Sequence, residues 1–331
     1  MRYSTLVAGA LALVSSTRVL AQTASTTLPT AASTSTSEAA SQLDTLSQYA
    51  YNVSTDSVDS STTNKRSGCS LSNLKIRREC ALTRPRYWNW PASASSLETY
   101  PVFDGSDTSM SGNGAPRGLN DTDSDIVLTL PGYPDVYLPL GTGGGCVTSG
   151  PFVNYTVNLG PAALALPGGT SAAAANPLDY NPRCFKRDLT TALIQRYANF
   201  TSVVSLILNN DAIADFQLAM QGVPGSGSIG VHGGGHYSMG GDPGRDVFVS
   251  PGDPAFWLHH GMIDRVWWIW QNLDLAERQN AISGTGTFLN LPPSANTTLD
   301  TVIDLGYAAG QPIAMRELMS TTAGPFCYIY L

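Results

Sequence analysis

The segment Asp253–Gln271 constrains the fold of this chain more than any other stretch. Asp253 carries a carboxylate able to accept from the free N–H groups at a helix start. Pro254 follows at the position where a missing N–H costs nothing. Phe256, His260, Ile263, Trp267 and Trp270 then recur at spacings of three and four, which predicts a helix over Phe256–Gln271 with these side chains on one inward face. Leu189, Leu193 and Tyr197 repeat every four residues and predict further helix from about Arg187 to Met220, in two or three pieces. Gly222–Gly230, with Pro224 inside it, is a break. From Tyr87 to Tyr180 the chain is rich in Gly, Pro, Ser, Asn and Asp. Asp104–Gly114, Gly141–Gly145 and Gly168–Ala175 read as loops, with short β-type runs such as Ile126–Leu130 between them. The fold class expected is mainly α with long irregular loops.

All four histidines lie between His232 and His260. His232 and His236 are four apart, so on a helix both rings project from one face and suit a shared metal ion. Gly233–Gly235 weaken such a helix, so tertiary contacts or the metal must hold it. With His260 from the capped helix, three imidazoles make a three-coordinate or open four-coordinate site for copper or zinc. His259 lies ~100° round the helix from His260 and is expected to turn away from the metal. Asp264, one turn beyond His260, either orients a ring or is solvated or paired with Arg265. Trp267, Trp268 and Trp270 read as core packing, and so do Tyr87, Trp88 and Trp90.

The remaining composition bears on compartment and partners. Charged residues are 13% of the 331 and hydrophobic residues 42%, a balance that supports a packed core. A net charge of -7 argues against a phosphate-binding surface, so no nucleic-acid partner is expected. Residues 1–21 read as a secretory leader: Arg2, the short apolar run Leu6–Val14, and small residues Val19 and Ala21 before a cut at Gln22. A buried N-terminal helix is the competing reading. Residues 22–66 read as a disordered arm or propeptide, since nearly half of Gln22–Asn64 is Ser or Thr. Lys65-Arg66 ends that arm as a dibasic processing site that would start the mature chain at Ser67. Five glycosylation sequons, at Asn52, Asn120, Asn154, Asn199 and Asn296, fit secretion. The cysteines Cys69, Cys80, Cys146, Cys184 and Cys327 are odd in number and cannot all pair within one chain. No other stretch is apolar and long enough for a membrane helix, so no membrane partner is expected after leader cleavage.

The run D-P-A-F-W-L-H-H-G-M-I-D, Asp253–Asp264, resembles the second copper-binding motif of tyrosinases and related type 3 copper proteins. V-H-G-G-G-H-Y-S-M-G-G-D, Val231–Asp242, is similar to the other ligand-bearing segment of that half. R-Y-W-N-W at Arg86–Trp90 resembles the family's P-Y-W-D-W element, and F-D-G-S at Phe103–Ser106 and G-N-G at Gly112–Gly114 resemble a secreted fungal subgroup. The resemblance covers most of residues 67–331 and implies a tyrosinase-like helical bundle. It implies copper bound by His232, His236 and His260, with phenols, catechols or o-aminophenols oxidised by dioxygen. Phe256 then packs against the ligand rings, His259 stands beside the ligands near the substrate entrance, and Gly233 borders the substrate pocket.

The family's first copper half needs three further histidines, and this chain has none before His232. K-I-R-R-E at Lys75–Glu79 resembles the opening of the family domain, yet it runs straight into C-A-L-T-R-P-R-Y-W-N-W from Cys80. An internal deletion near 79–80 is therefore expected, from a skipped exon or a true loss, leaving only the second helix pair and at most one copper. Such a chain is expected to have little or no phenol oxidase activity and to expose Phe256, Trp267 and Trp270. The competing readings are a non-catalytic secreted protein that binds one metal ion through three histidines, and a zinc hydrolase. The zinc hydrolase lacks an H-E-x-x-H glutamate as general base.

Overall fold

The computed structural model describes residues 35–60, 86–118, 124–287, 290–306, 310–326 and 328–330. The leader, Lys65-Arg66, the 79–80 junction, Asn120, Cys69, Cys80 and Cys327 lie outside them. Helices dominate: α1 (Thr36–Ser60), α2 (Thr191–Tyr197), α3 (Phe200–Leu208), α4 (Ile213–Gln221), α5 (Gly230–Met239), α6 (Ala255–Leu273) and α7 (Leu275–Arg278). Between α1 and α2 the chain forms short strands β1 (Gly114–Pro116), β2 (Ile126–Leu128), β3 (Val136–Leu138), β4 (Gly144–Val147), β5 (Thr156–Val157), β6 (Leu164–Leu166), β7 (Thr170–Ala172) and β8 (Arg183–Cys184). They pair antiparallel as β1–β4, β2–β3, β5–β8 and β6–β7, and β9 (Val302–Ile303) pairs with β10 (Ile313–Ala314). Parts of the glycine-rich stretches expected as loops are thus ribbons. Cys146 on β4 and Cys184 on β8 form a disulfide with a Cα–Cα distance of 5.6 Å.

The chain divides into two units. One comprises Arg86–Val203 and Ala219–Trp267. Its core joins Ile126 and Leu138 from the β2–β3 ribbon to Leu193 and Tyr197 of α2 and to Ile229. Helix α2 packs against α5, and Gly234 permits that approach, because a Cβ there would come within 2.9 Å of the Tyr197 Cβ. The other unit comprises, among the described residues, 35–60, Val204–Leu218 and those from Trp268 onward. There Trp270 stacks on Phe216 at 4.6 Å, and its indole N–H donates to the Asn210 carbonyl at 2.5 Å. The Arg278 guanidinium lies 4.5 Å over the Trp270 ring.

Four expectations are corrected. Helix α2 starts at Thr191, not near Arg187. The backbone N–H groups of Lys186, Asp188 and Thr190 donate to the carbonyls of Asp242, Met239 and Ser238, and those long-range bonds hold the strip extended. Residues Thr36–Ser60, expected to be disordered, form α1. Ala39, Leu43 and Ala50 on that helix are buried, a helical spacing that the surrounding serines and threonines mask. The buried stripe of α6 is Ala255, His259, Met262, Val266 and Ile269, each fully buried, rather than the stripe through Phe256 and His260. Finally, Trp270 is fully buried where exposure was expected, while Phe256 and Trp267 are half-buried. The exposed aromatic of α6 is Trp257, 65% exposed.

Candidate metal centre

Two features set the start of α6. The Asp253 carboxylate accepts from the Ala255 N–H at 2.8 Å and pairs with the Arg187 guanidinium at 2.7 Å, both side chains being fully buried. Arg187 also donates to the carbonyls of Met110, Ser111 and Gly112. One cation thus ties a loop and a helix start together and satisfies the buried charge. Along α6, the Leu258 carbonyl accepts from the Trp88 N–H at 2.8 Å. Gly261 makes room for this segment, since a Cβ there would overlap the Arg86 carbonyl. Trp88 and Trp90 are fully buried and flank the His259 ring at 6.2 and 5.3 Å.

Helices α5 and α6 bring all four imidazoles together. One ring nitrogen from each of His232, His236, His259 and His260 lies within 4.8 Å of every other. The His236 Nε2 is 3.2 Å from the His232 Nε2 and 3.3 Å from the His260 Nε2. His232 and His259 are buried, and His236 and His260 are half-buried. The His259 ring lies stacked on the His232 ring at 5.5 Å. Gly235 has no side chain to hold the ring off, and a Cβ there would overlap it, while Trp90 closes the opposite side.

Partners on the rings orient them. The Gln221 Oε1 can only accept, so the His232 Nδ1–H, 2.7 Å away, donates to it and leaves Nε2 with a lone pair toward the cluster. The Gly244 backbone hydrogen-bonds the His236 ring. Phe256 stacks on His260 at 4.0 Å. Asp264 is half-buried on α6. At Gly233 a Cβ would meet the Ile229 side chain. Gln221, Gly235 and Gly261 escaped the sequence reading. For the two glycines, the usable signal was their place directly beside a histidine. Gln221 had none.

Burial pushes each imidazole toward its neutral form. His236 falls to about 3 and His260 to about 4. His232 and His259 fall well below 6.5, through burial first and then through neighbouring imidazoles. Neutral, buried, converging imidazoles are what a borderline metal such as copper or zinc requires. The residues present fit one such ion. They do not fit two, because the chain has four histidines and all of them are in this cluster.

Comparison with known proteins agrees with this geometry. The common central domain of tyrosinase matches residues 70–273. Tyrosinase P of Aspergillus terreus is 40% identical over 257 residues, 77% of this chain and 70% of that protein. Oxidase hkm6 of Aspergillus hancockii is 38% identical over 77% of this chain and 87% of its own length. N-acetyl-6-hydroxytryptophan oxidase ivoB of Emericella nidulans is 39% identical over 77% and 71%. The structure of a polyphenol oxidase variant from Thermothelomyces thermophila superposes with a TM-score of 0.68 at 42% identity, covering 78% of this chain and 69% of that one. A central-domain match that spans α2 to α6, with one four-histidine cluster among the described residues, makes this chain a fungal member of the tyrosinase and polyphenol oxidase family.

Proposed function

We propose that this chain is a secreted relative of the copper oxidoreductases that oxidise phenols, catechols or o-aminophenols with dioxygen. In its present sequence it binds a single metal ion and has little or no phenol oxidase activity. The observation that carries this reading is the histidine count: four in the whole chain, all in one cluster. A pair of type 3 coppers needs six. His232, His236 and His260 are the proposed ligands, because their Nε2 atoms face one another across 3.2 and 3.3 Å. Copper, when bound, supplies electron transfer between a phenol and dioxygen. Around it, Gln221 holds His232 in the tautomer that presents Nε2, and Phe256 covers the His260 ring and keeps water from that side. Gly233 is the proposed edge of the substrate pocket, and Asp264, one turn beyond His260, is proposed to orient a ligand ring.

The test is expression with copper, metal analysis of the purified chain, and oxygen uptake with catechol and o-aminophenol. One ion per chain and uptake at the background rate are expected. Two ions and turnover equal to an intact relative would refute the proposal. Protein sequencing of secreted material should find the mature start at Gln22 or Ser67, and Met1 retained in cell-bound protein would remove the secretion argument. A transcript with histidine codons between Glu79 and Cys80 would assign the missing half to a skipped exon.

A further inference from the structure

We infer that Asn154 carries an N-linked glycan and that Asn199, which heads a sequon of the same form, does not. This rests on the secretion reading above and goes beyond it. The two triplets are Asn154-Tyr155-Thr156 and Asn199-Phe200-Thr201. The fold treats their amides in opposite ways. Asn154 is exposed in the turn that leads into β5. The Tyr155 N–H donates to the Phe152 carbonyl at 3.1 Å, which closes a four-residue turn with Asn154 in third place. The Phe152 N–H donates to the Ser111 hydroxyl at 2.8 Å and anchors that turn. At its far end Thr156 pairs with Cys184 of β8, which the disulfide to Cys146 holds in place. Among the described residues no hydrogen bond uses the Asn154 amide or the Thr156 hydroxyl. Phe152 is half-buried and Tyr155 is 41% exposed, and their rings meet edge to face at 6.0 Å. Ring surface is thus left at the turn, against which the C–H face of a first sugar packs. Asn296 shares the exposure but not the aromatic turn.

Asn199 has a structural task instead. It is half-buried between the end of α2 and the start of α3. Its Oδ1 accepts from the Ser202 N–H at 2.9 Å and from the Ser202 hydroxyl at 3.2 Å, which caps α3. Its Nδ2 donates to the Gln195 carbonyl at 2.6 Å, satisfying an acceptor in the last turn of α2. One amide therefore joins two helix ends, and the nitrogen a sugar would take is already in use. Attachment at Asn154 forms a bond from Nδ2 to C1 of a diphosphate-activated oligosaccharide, the sugar donor of the secretory pathway. The C1–O bond breaks, the diphosphate leaves with its electron pair, and Nδ2 gives up one proton to water. At Asn199 the same reaction would force a sugar into the corner between α2 and α3.

Peptide mapping of the full chain secreted from a fungal host tests this. Enzymatic glycan release in heavy-oxygen water turns each occupied asparagine into labelled aspartate. Label at Asn154 and none at Asn199 are expected. Thr156→Ala is expected to lose the mass of one glycan and Thr201→Ala to lose none, since each removes a sequon hydroxyl and leaves its asparagine in place. A secreted chain unlabelled at Asn154, or labelled at Asn199, would overturn the assignment and leave secretion standing. A chain found only inside the cell and without label would overturn both. The map of the native chain decides the question even if a variant fails to fold.

Discussion

At the scale of single residues, the centre depends on one missing side chain. A Cβ at Gly235 would overlap the His259 ring, and that ring is confined by Trp90 and by its stacked neighbour His232. Gly235→Ala is therefore expected to destabilise the chain by ~1–3 kcal/mol through overpacking and to weaken metal uptake. Urea unfolding and metal analysis of the variant check both; native-like values in each would remove the packing argument. The imidazoles also set a pH dependence. Their folded values lie below the unfolded 6.5, at about 4 for His260 and about 3 for His236. Between these limits the unfolded chain binds protons that the folded chain refuses. Stability of the metal-free protein is thus full above about 6.5 and falls as pH drops toward about 4 and then about 3. Urea midpoints measured across that range should decline steadily, and a flat profile would contradict the neutral buried cluster.

Among elements, the start of α6 was legible and its burial was not. Asp253 followed by Pro254 marked the helix start to within a residue of Ala255. Helix α6 is apolar round most of its circumference, so two stripes at helical spacing were available. Packing by Trp88, Trp90 and α5 chose the one through His259. The same helix start rests on Arg187, which no local pattern linked to Asp253. Both side chains are wholly buried, so removing one strands the other. Arg187→Met is expected to cost ~3–5 kcal/mol, read from denaturant unfolding. Adding Asp253→Asn should recover part of the loss, because no charge is then left unpaired. A single variant as stable as the native chain would show that the pair carries no structural weight.

For the whole molecule, the metal is also a folding ligand. An ion that binds only the folded cluster, held at ~100 times its dissociation constant, adds ~2.7 kcal/mol to stability. For a domain of this size that raises the melting temperature by roughly 5–10 °C. Calorimetry with copper, and again after chelation, should show the rise and its reversal. No shift on chelation would mean that the cluster holds no ion. Among the described residues no helix is long and apolar enough to cross a membrane.

The sequence by itself determined the mainly helical class, the helix with its Asp-Pro start, the histidine-bearing segments, and the limit of one histidine cluster. Those follow from spacing, capping chemistry and a count, all of which are local. Tertiary structure decided the rest. It turned His259 into the cluster, because Gly235 and Trp90 leave its ring no other place. It held residues 186–190 extended, because carbonyls distant in sequence accept from them. It buried Trp270 against Phe216. It paired Cys146 with Cys184, a choice open among five cysteines until β4 and β8 brought their Cα atoms to 5.6 Å. Each outcome depends on groups far apart along the chain, and no local pattern records which of them will meet.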